Sequence, residues 1–208
     1  MSVSASSRAG VVCLTGGIAS GKSRIARWFM ERGWTVICSD EIVHELYRAG
    51  QPVAAAVQKE FGEAVLAADG SVDRARLGRI VFDDETKRQR LNALVHPAVR
   101  EVWRARAQRA AADGHAVMSV IPLAYEAGVA SEFDQVWVAA CTPRTQETRL
   151  MGRGLDRTAA AKRLRAQIPL QEKVDRADRV IWNDGPWERA VEQCARLDRE
   201  HRGEGRRP

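Results

Sequence analysis

A glycine-rich segment near the start of the chain restricts the fold more than any other stretch. Val11–Leu14 is a short run of strand-forming residues that leads directly into Gly16-x-x-x-x-Gly21-Lys22-Ser23. Apolar residues at helical spacing follow from Ile25 to Met30. Strand, glycine loop and helix in that order is the setting in which this spelling forms a phosphate-binding loop. Glycine lets backbone N–H groups turn inward around phosphate oxygens. A helix starting near Lys22 adds first-turn N–H donors and the positive end of its dipole. Gly16, Gly17, Ala19, Ser20, Gly21, Lys22, Ser23 and Arg24 are therefore the expected phosphate-binding residues. Lys22 is expected to reach the β- and γ-phosphates, and the Ser23 hydroxyl to ligate Mg²⁺. The alternative is a glycine turn after a buried strand with a solvent-facing lysine; the flanking strand and helix weigh against it.

The rest of the chain alternates strand and helix patterns around one interruption. Helix one is read over Lys22 to Arg32, with Gly33 as its stop. Strand two is Trp34–Cys38, ending at Ser39-Asp40. Ligands of open α/β sheets sit at the carboxyl ends of strands. Asp40 follows such an end. By position alone it is a functional carboxylate, a solvated aspartate, or the N-cap of a helix starting at Glu41. The next seventy or so residues carry helical patterns at Ile42–Tyr47, Val53–Phe61, Arg74–Phe82 and Glu85–Ala112, and no strong strand. This reads as a helical lobe over about residues 43–114, inserted between strands two and three. His96-Pro97 is expected to start a helix or kink one. The Arg-rich run from Arg100 to Arg109 reads as a solvated helix face.

Strand three is read at Ala116–Ile121, strand four at Gln135–Cys141 and strand five at Arg179–Trp182. The core segments are thus about 10–42, 115–144 and 178–199. Residues 1–9 read as a loose leader and about 200–208 as a disordered tail. Between strands four and five, about 145–170, lies an arginine-bearing helical pair joined by Gly152 and Gly154. Arg149 and Arg153 share one face if the first helix continues that far. Asp156 or Thr158 starts the second helix, which carries Arg163 and Arg165 and ends before Pro169. With a phosphate loop present, such a pair reads as a lid whose guanidinium groups stabilise transferring charge; otherwise it is a basic surface helix. The turn Asn183-Asp184-Gly185-Pro186 is good turn material, and such a turn after a last strand can also hold an adenine.

Composition narrows the class. The net charge of +6 comes mostly from arginine, since only five lysines occur. No basic run is interleaved with aromatics, which argues against nucleic acid as a partner. Cys13, Cys38, Cys141 and Cys194 form no C-x-x-C pair, so the usage reads as reduced and cytoplasmic with no zinc spacing. Neither a signal peptide nor a membrane span is read. No N-K-x-D guanine reader is found, and a length of 208 residues excludes large motor ATPases. What remains is an α/β phosphate-loop kinase with a five-strand parallel sheet, an inserted helical lobe and a helical lid. It would use ATP and Mg²⁺ on a small hydroxyl or phosphate acceptor, as a monomer or weak homo-oligomer.

One family accounts for the remaining segments. L-T-G-G-I-A-S-G-K-S (14–23), V-I-C-S-D-E-I (36–42), L-N-A-L-V-H-P-A-V-R (91–100), I-P-L-A-Y-E (121–126), T-Q-E-T-R-L-M-G-R (145–153), R-L-R-A-Q (163–167) and A-D-R-V-I-W-N-D-G (177–185) occur in one order. In this the chain resembles the dephospho-CoA kinases. The resemblance implies transfer of the γ-phosphate of ATP to the ribose 3′-hydroxyl of dephospho-CoA. It implies Asp40 as general base, and Arg149 as a lid group on the transferring phosphoryl. Arg153 would be a second lid contact, Asn183 and Gly185 would hold the adenine, and the helical lobe would take the CoA moiety. Departures are Ala19 and Arg24 for Gly and Thr, Cys38 for the first aspartate of D-A-D, and His44 for arginine. A small kinase of another acceptor and a non-catalytic nucleotide-binding module remain as alternatives.

Overall fold

In the computed structural model, which describes residues 10–82 and 84–203, the chain divides into two units. One comprises the residues up to 37 and from 107 onward; the other is Cys38–Arg106. The expected leader, 1–9, and the end of the expected tail, 204–208, lie outside the described residues.

The first unit is built on a five-strand parallel sheet with helices against it. Its strands are β1 (Val11–Gly16), β2 (Thr35–Cys38), β3 (Val117–Val120), β4 (Gln135–Ala140) and β5 (Arg179–Trp182). Their order is β2-β3-β1-β4-β5. The central ladders set Val11 beside Val117 and Val12 beside Gln135, and both are parallel. β1 has its sequence successors on one side and β4 and β5 on the other, so the order reverses beside its carboxyl end. That is where α/β sheets bind ligands, and it is where the glycine loop begins.

Each face of the sheet is buried, which explains why the strands read as continuous apolar runs. On one face Val12, Leu14, Met118, Trp137 and Ile181 pack against helices α1 (Lys22–Met30) and α9 (Trp187–His201). Phe29 anchors α1 there, 5.0 Å from the Trp34 ring and 5.4 Å from Trp137. Buried Trp34 satisfies its indole N–H on Asp198 at 2.6 Å. α9 runs to His201, a little beyond its sequence estimate of Arg199, and the imidazole of that residue packs 4.5 Å from Trp34. β5 is an edge strand. Gln193 of α9 covers it, accepting from Trp182 N–H and donating to Trp182 C=O at 2.8 and 2.9 Å, so one pair of edge groups is closed to strand addition.

The other face carries Cys13, Val136, Val138 and Val180 against the loop after β3 and a helix absent from the sequence reading, α8 (Leu170–Asp175). For numbering in chain order, the intervening helices are α2 (Ser39–Leu46), α3 (Pro52–Phe61), α4 (Arg74–Val81), α5 (Glu85–Ala112), α6 (Pro143–Met151) and α7 (Arg157–Arg165). α8 holds a wholly buried lysine, Lys173, whose Nζ is 2.7 Å from a carboxylate oxygen of Glu126. Removing that partner leaves an unpaired buried cation. Glu126→Ala is expected to cost about 3 kcal/mol in urea unfolding, the low end for such pairs because Glu126 is 19% exposed. Lys173→Met removes the charge and keeps the apolar stem, so it is expected to cost less; equal losses would count against the argument.

The second unit has its own core, in which Val53 and Val57 of α3, Leu77 of α4 and Val95 of α5 meet Tyr47, just past α2, and Val65 of a short 3-10 turn. α3 starts with proline at its first turn, and Asp73 caps α4 by accepting from the N–H groups of Ala75 and Arg76. α5 belongs to this unit until Arg106 and continues beyond it. Pro97 neither starts nor breaks it. The helix passes through because Leu91, Leu94, Val95, Ala98 and Val99 pack into the core on both sides of the proline. Arg104, Arg106 and Arg109 are exposed, and Arg106 pairs with Glu45 at 2.5 Å.

Candidate active site

The loop from Gly16 to Gly21 is fixed by side chains that reach it from distant parts of the first unit. Lys22 Nζ folds back to donate to the carbonyls of Gly16 at 3.1 Å and Gly17 at 2.8 Å. Gln146 Nε2 donates to Ile18 O at 2.7 Å, Arg149 Nη1 to Ala19 O at 3.1 Å, and Asn183 Nδ2 to Ser20 O at 2.8 Å. Every carbonyl from Gly16 to Ser20 thus accepts from a side chain. In a planar trans peptide the next N–H points opposite to the C=O, so these bonds also fix the N–H directions of residues 17–21. Ile18 N–H is taken by Gln167 Oε1 at 2.9 Å, and Ser20 N–H by Gly17 O at 3.2 Å. Among the described residues the N–H groups of Ala19 and Gly21 are not taken in this way, which leaves them for an anion.

Two glycines are required by geometry. Gly16 has φ 143°, and a Cβ there would lie 2.2 Å from the backbone oxygen of Ala139. Gly21 has φ 96° and caps α1, and a Cβ would lie 2.1 Å from Asn183 Nδ2. Ala19 is the exception: it holds φ 59° without being glycine, at a cost of about 1–2 kcal/mol. Its methyl packs against Leu150 of α6 and Ala160 of α7. Ser20 is wholly buried, and its Oγ has no partner among the described residues. An orphaned hydroxyl inside an anion-binding loop fits a phosphate oxygen as its acceptor.

Arg149 lies in the last turn of α6, and its second amino group donates to Asn183 O at 2.8 Å. Its fork therefore ties the loop to the turn after β5. Asp184 in that turn accepts from the Thr145 hydroxyl and, at 3.4 Å, from Thr142 N–H. Those donors, the Thr145 hydroxyl foremost, hold its carboxyl below the ordinary range. Thr142 caps α6 on Thr145 N–H, and Asp156 caps α7 on Ala159 N–H. α6 stops at Met151, with Gly152 as its cap, so Arg153 does not share a helix face with Arg149; it is exposed in the turn between α6 and α7. Arg24 stacks its guanidinium 4.1 Å from the Trp187 ring centre, next to the turn holding exposed Gly185. Ser23 presents an exposed hydroxyl on the first turn of α1. Gln146 and Gln167 lie in segments that carried the family resemblance, yet their part in shaping the loop was not read from sequence.

Asp40 belongs to the second unit. It is not an N-cap: α2 starts at Ser39 with Cys38 as its cap, so Asp40 sits inside the first turn and is exposed. A carboxylate there suits the helix dipole. His44 lies four residues on, exposed and on the same helical face.

The family model for dephospho-CoA kinase matches residues 10–188. A dephospho-CoA kinase of Symbiobacterium thermophilum is 45% identical over 185 residues, 88% of this chain and 77% of that protein. A crystal structure of a Thermus thermophilus protein superposes with a TM-score of 0.79 at 31% identity, covering 90% of this chain and 95% of the other. A dephospho-CoA kinase from Campylobacter jejuni gives 0.64 at 26% identity, covering 92% and 96%. With a reversed strand order at a fully shaped phosphate loop and matches over most of its length, the chain belongs to the dephospho-CoA kinase family.

Proposed function

We propose that this protein transfers the γ-phosphoryl group of ATP to the ribose 3′-hydroxyl of dephospho-CoA, giving coenzyme A and ADP. The observation that carries the reading is the phosphate loop, with Lys22 folded across it and Arg149 seated on Ala19. Phosphoryl transfer asks a protein for in-line positioning and charge neutralisation rather than covalent chemistry. Loop N–H groups, the Ser20 hydroxyl and Lys22 hold the donor's phosphates. Arg149 neutralises charge on the moving group. Asp40 takes the proton of the attacking hydroxyl. Asn183 and Gly185 border the adenine, Arg153 closes as a second lid cation, and the helical unit takes the CoA moiety.

Among the described residues no cluster of three or more His, Cys, Asp or Glu could cage a metal. The exposed Ser23 hydroxyl is a hard oxygen donor with open surroundings, which suits Mg²⁺ brought in with the triphosphate. When bound, Mg²⁺ supplies charge neutralisation at the β- and γ-phosphates. No helix among the described residues is long and apolar enough to cross a membrane. The four cysteines are unpaired, which supports a reducing, cytoplasmic setting; we propose a monomer or weak homo-oligomer acting on small molecules.

Purified protein incubated with ATP, Mg²⁺ and dephospho-CoA is expected to yield coenzyme A, seen by mass spectrometry as one added phosphoryl group. Absence of that product from folded protein that binds ATP would overturn the proposal. Phosphorylation of a nucleoside monophosphate in its place would favour a related kinase.

A further inference from the structure

The two polar backbone groups of Ile18 are held by two glutamine amides of opposite polarity. Gln146 donates to its carbonyl at 2.7 Å, and Gln167 accepts from its N–H at 2.9 Å. The two bonds act on two different peptide units. Ile18 C=O shares a peptide with Ala19 N–H, one of the donors left for an anion. Ile18 N–H shares a peptide with Gly17 C=O, which accepts from Lys22 at 2.8 Å. Gln146 thus orients a phosphate donor, and Gln167 orients the peptide that positions the lysine.

Three observations indicate that this clamp shapes the loop. A Cβ on Gly17 would lie 2.4 Å from Gln146 Nε2, so the approach of that amide is itself a reason for glycine at 17. Ala19, the residue after Ile18, sits in the left-handed region without glycine's freedom, a conformation that persists only when its surroundings hold it. Finally, both glutamines line one cavity of about 540 Å³, together with Gly17, Leu164, Ile168 and Leu170, so the two amides reach the loop from the same side. The clamp is anchored at both ends. Gln146 and Arg149 are three apart on α6 and take the successive carbonyls of Ile18 and Ala19. Gln167 precedes Ile168, whose N–H donates to Glu126 at 3.3 Å.

We infer that Gln146 and Gln167 are positioning residues that preorganise the phosphate loop for nucleotide by fixing the Ile18 peptides from outside the anion site. The inference rests on the loop binding a nucleotide, as proposed above, but its test needs no acceptor. ADP affinity is measured by calorimetry on Gln146→Glu and Gln167→Glu. Both variants add one negative charge beside the same residue, the charge at 146 being the more buried, so the uncharged Gln146→Met is measured beside them to separate burial of charge from hydrogen-bond polarity. The two glutamate variants differ in that polarity. A carboxylate at 167 still accepts from Ile18 N–H, whereas one at 146 faces Ile18 C=O with no proton to give.

The expected result is an ADP affinity about 100-fold weaker for Gln146→Glu and at most about tenfold weaker for Gln167→Glu, one hydrogen bond being worth about tenfold. A purely structural role would lower thermal stability without that asymmetry in affinity. Equal losses, or the reverse order, overturn the inference. Gln146→Met, which removes the donor without adding charge, also serves if Gln146→Glu does not fold. It is expected to bind ADP about tenfold more weakly, and unchanged affinity overturns the inference. Failure of the unaltered protein to make coenzyme A while it binds ADP would count against the proposed reaction and leave the clamp standing.

Discussion

Asp40→Asn is expected to lower kcat by about 10²–10⁴-fold while leaving the KM for ATP nearly unchanged. Asparagine keeps the shape of the side chain and its place in the first turn of α2, but it cannot take a proton at neutral pH. The nucleotide contacts should survive, because the loop, Lys22 and the side chains that fix its carbonyls all belong to the other unit. A structural role for Asp40 would instead show as lost stability, since a first-turn carboxylate contributes about 0.3–1 kcal/mol through the helix dipole. Steady-state kinetics with a parallel melting curve separate the two. Near-full turnover by Asp40→Asn would remove it as the base.

Arg149→Ala is expected to lower kcat by about 10²–10³-fold, the loss typical when a donor to developing charge is removed. Its position makes the prediction specific. One amino group of the guanidinium is held on Ala19 O and the other on Asn183 O, at 3.1 and 2.8 Å, so the cation is fixed beside the loop. Lysine cannot reproduce this contact, because a single ammonium lacks the planar fork that spans two carbonyls. Arg149→Lys is therefore expected to recover little of the lost rate. Wild-type kcat in Arg149→Lys would show that only a nearby positive charge matters, and the fork geometry would lose its meaning.

Features carried by neighbouring residues were legible in the sequence. Glycine spacing, the strand before it and the helix after it identified the phosphate loop, and the structure forms it between β1 and α1. Strand-forming runs located all five strands to within a residue or two. Other features were hidden for identifiable reasons. α8 is six residues long, too short for a helical period to stand out, and it contains a lysine that a pattern reader places in solvent. That lysine is buried because Glu126, 47 positions earlier, neutralises it. Pro97 reads as a helix start or a kink, yet it lies inside one helix from Glu85 to Ala112, because core contacts on both sides outweigh one missing hydrogen bond. The expected alignment of Arg149 with Arg153 depended on a helix that ends at Met151.

The sequence by itself determined the kind of loop, the chain order of its neighbours and the family, because those rest on local spacing and on segments read in a row. Tertiary structure alone decided how that loop is held. Its carbonyls are met by side chains from residues 146, 149 and 183, and its Ile18 N–H by residue 167. Glutamine has no local signature for such a task, since its amide can donate, accept or face water. Only the fold, by placing β4, α6 and the turn after β5 around the carboxyl end of β1, determines which of these each amide does.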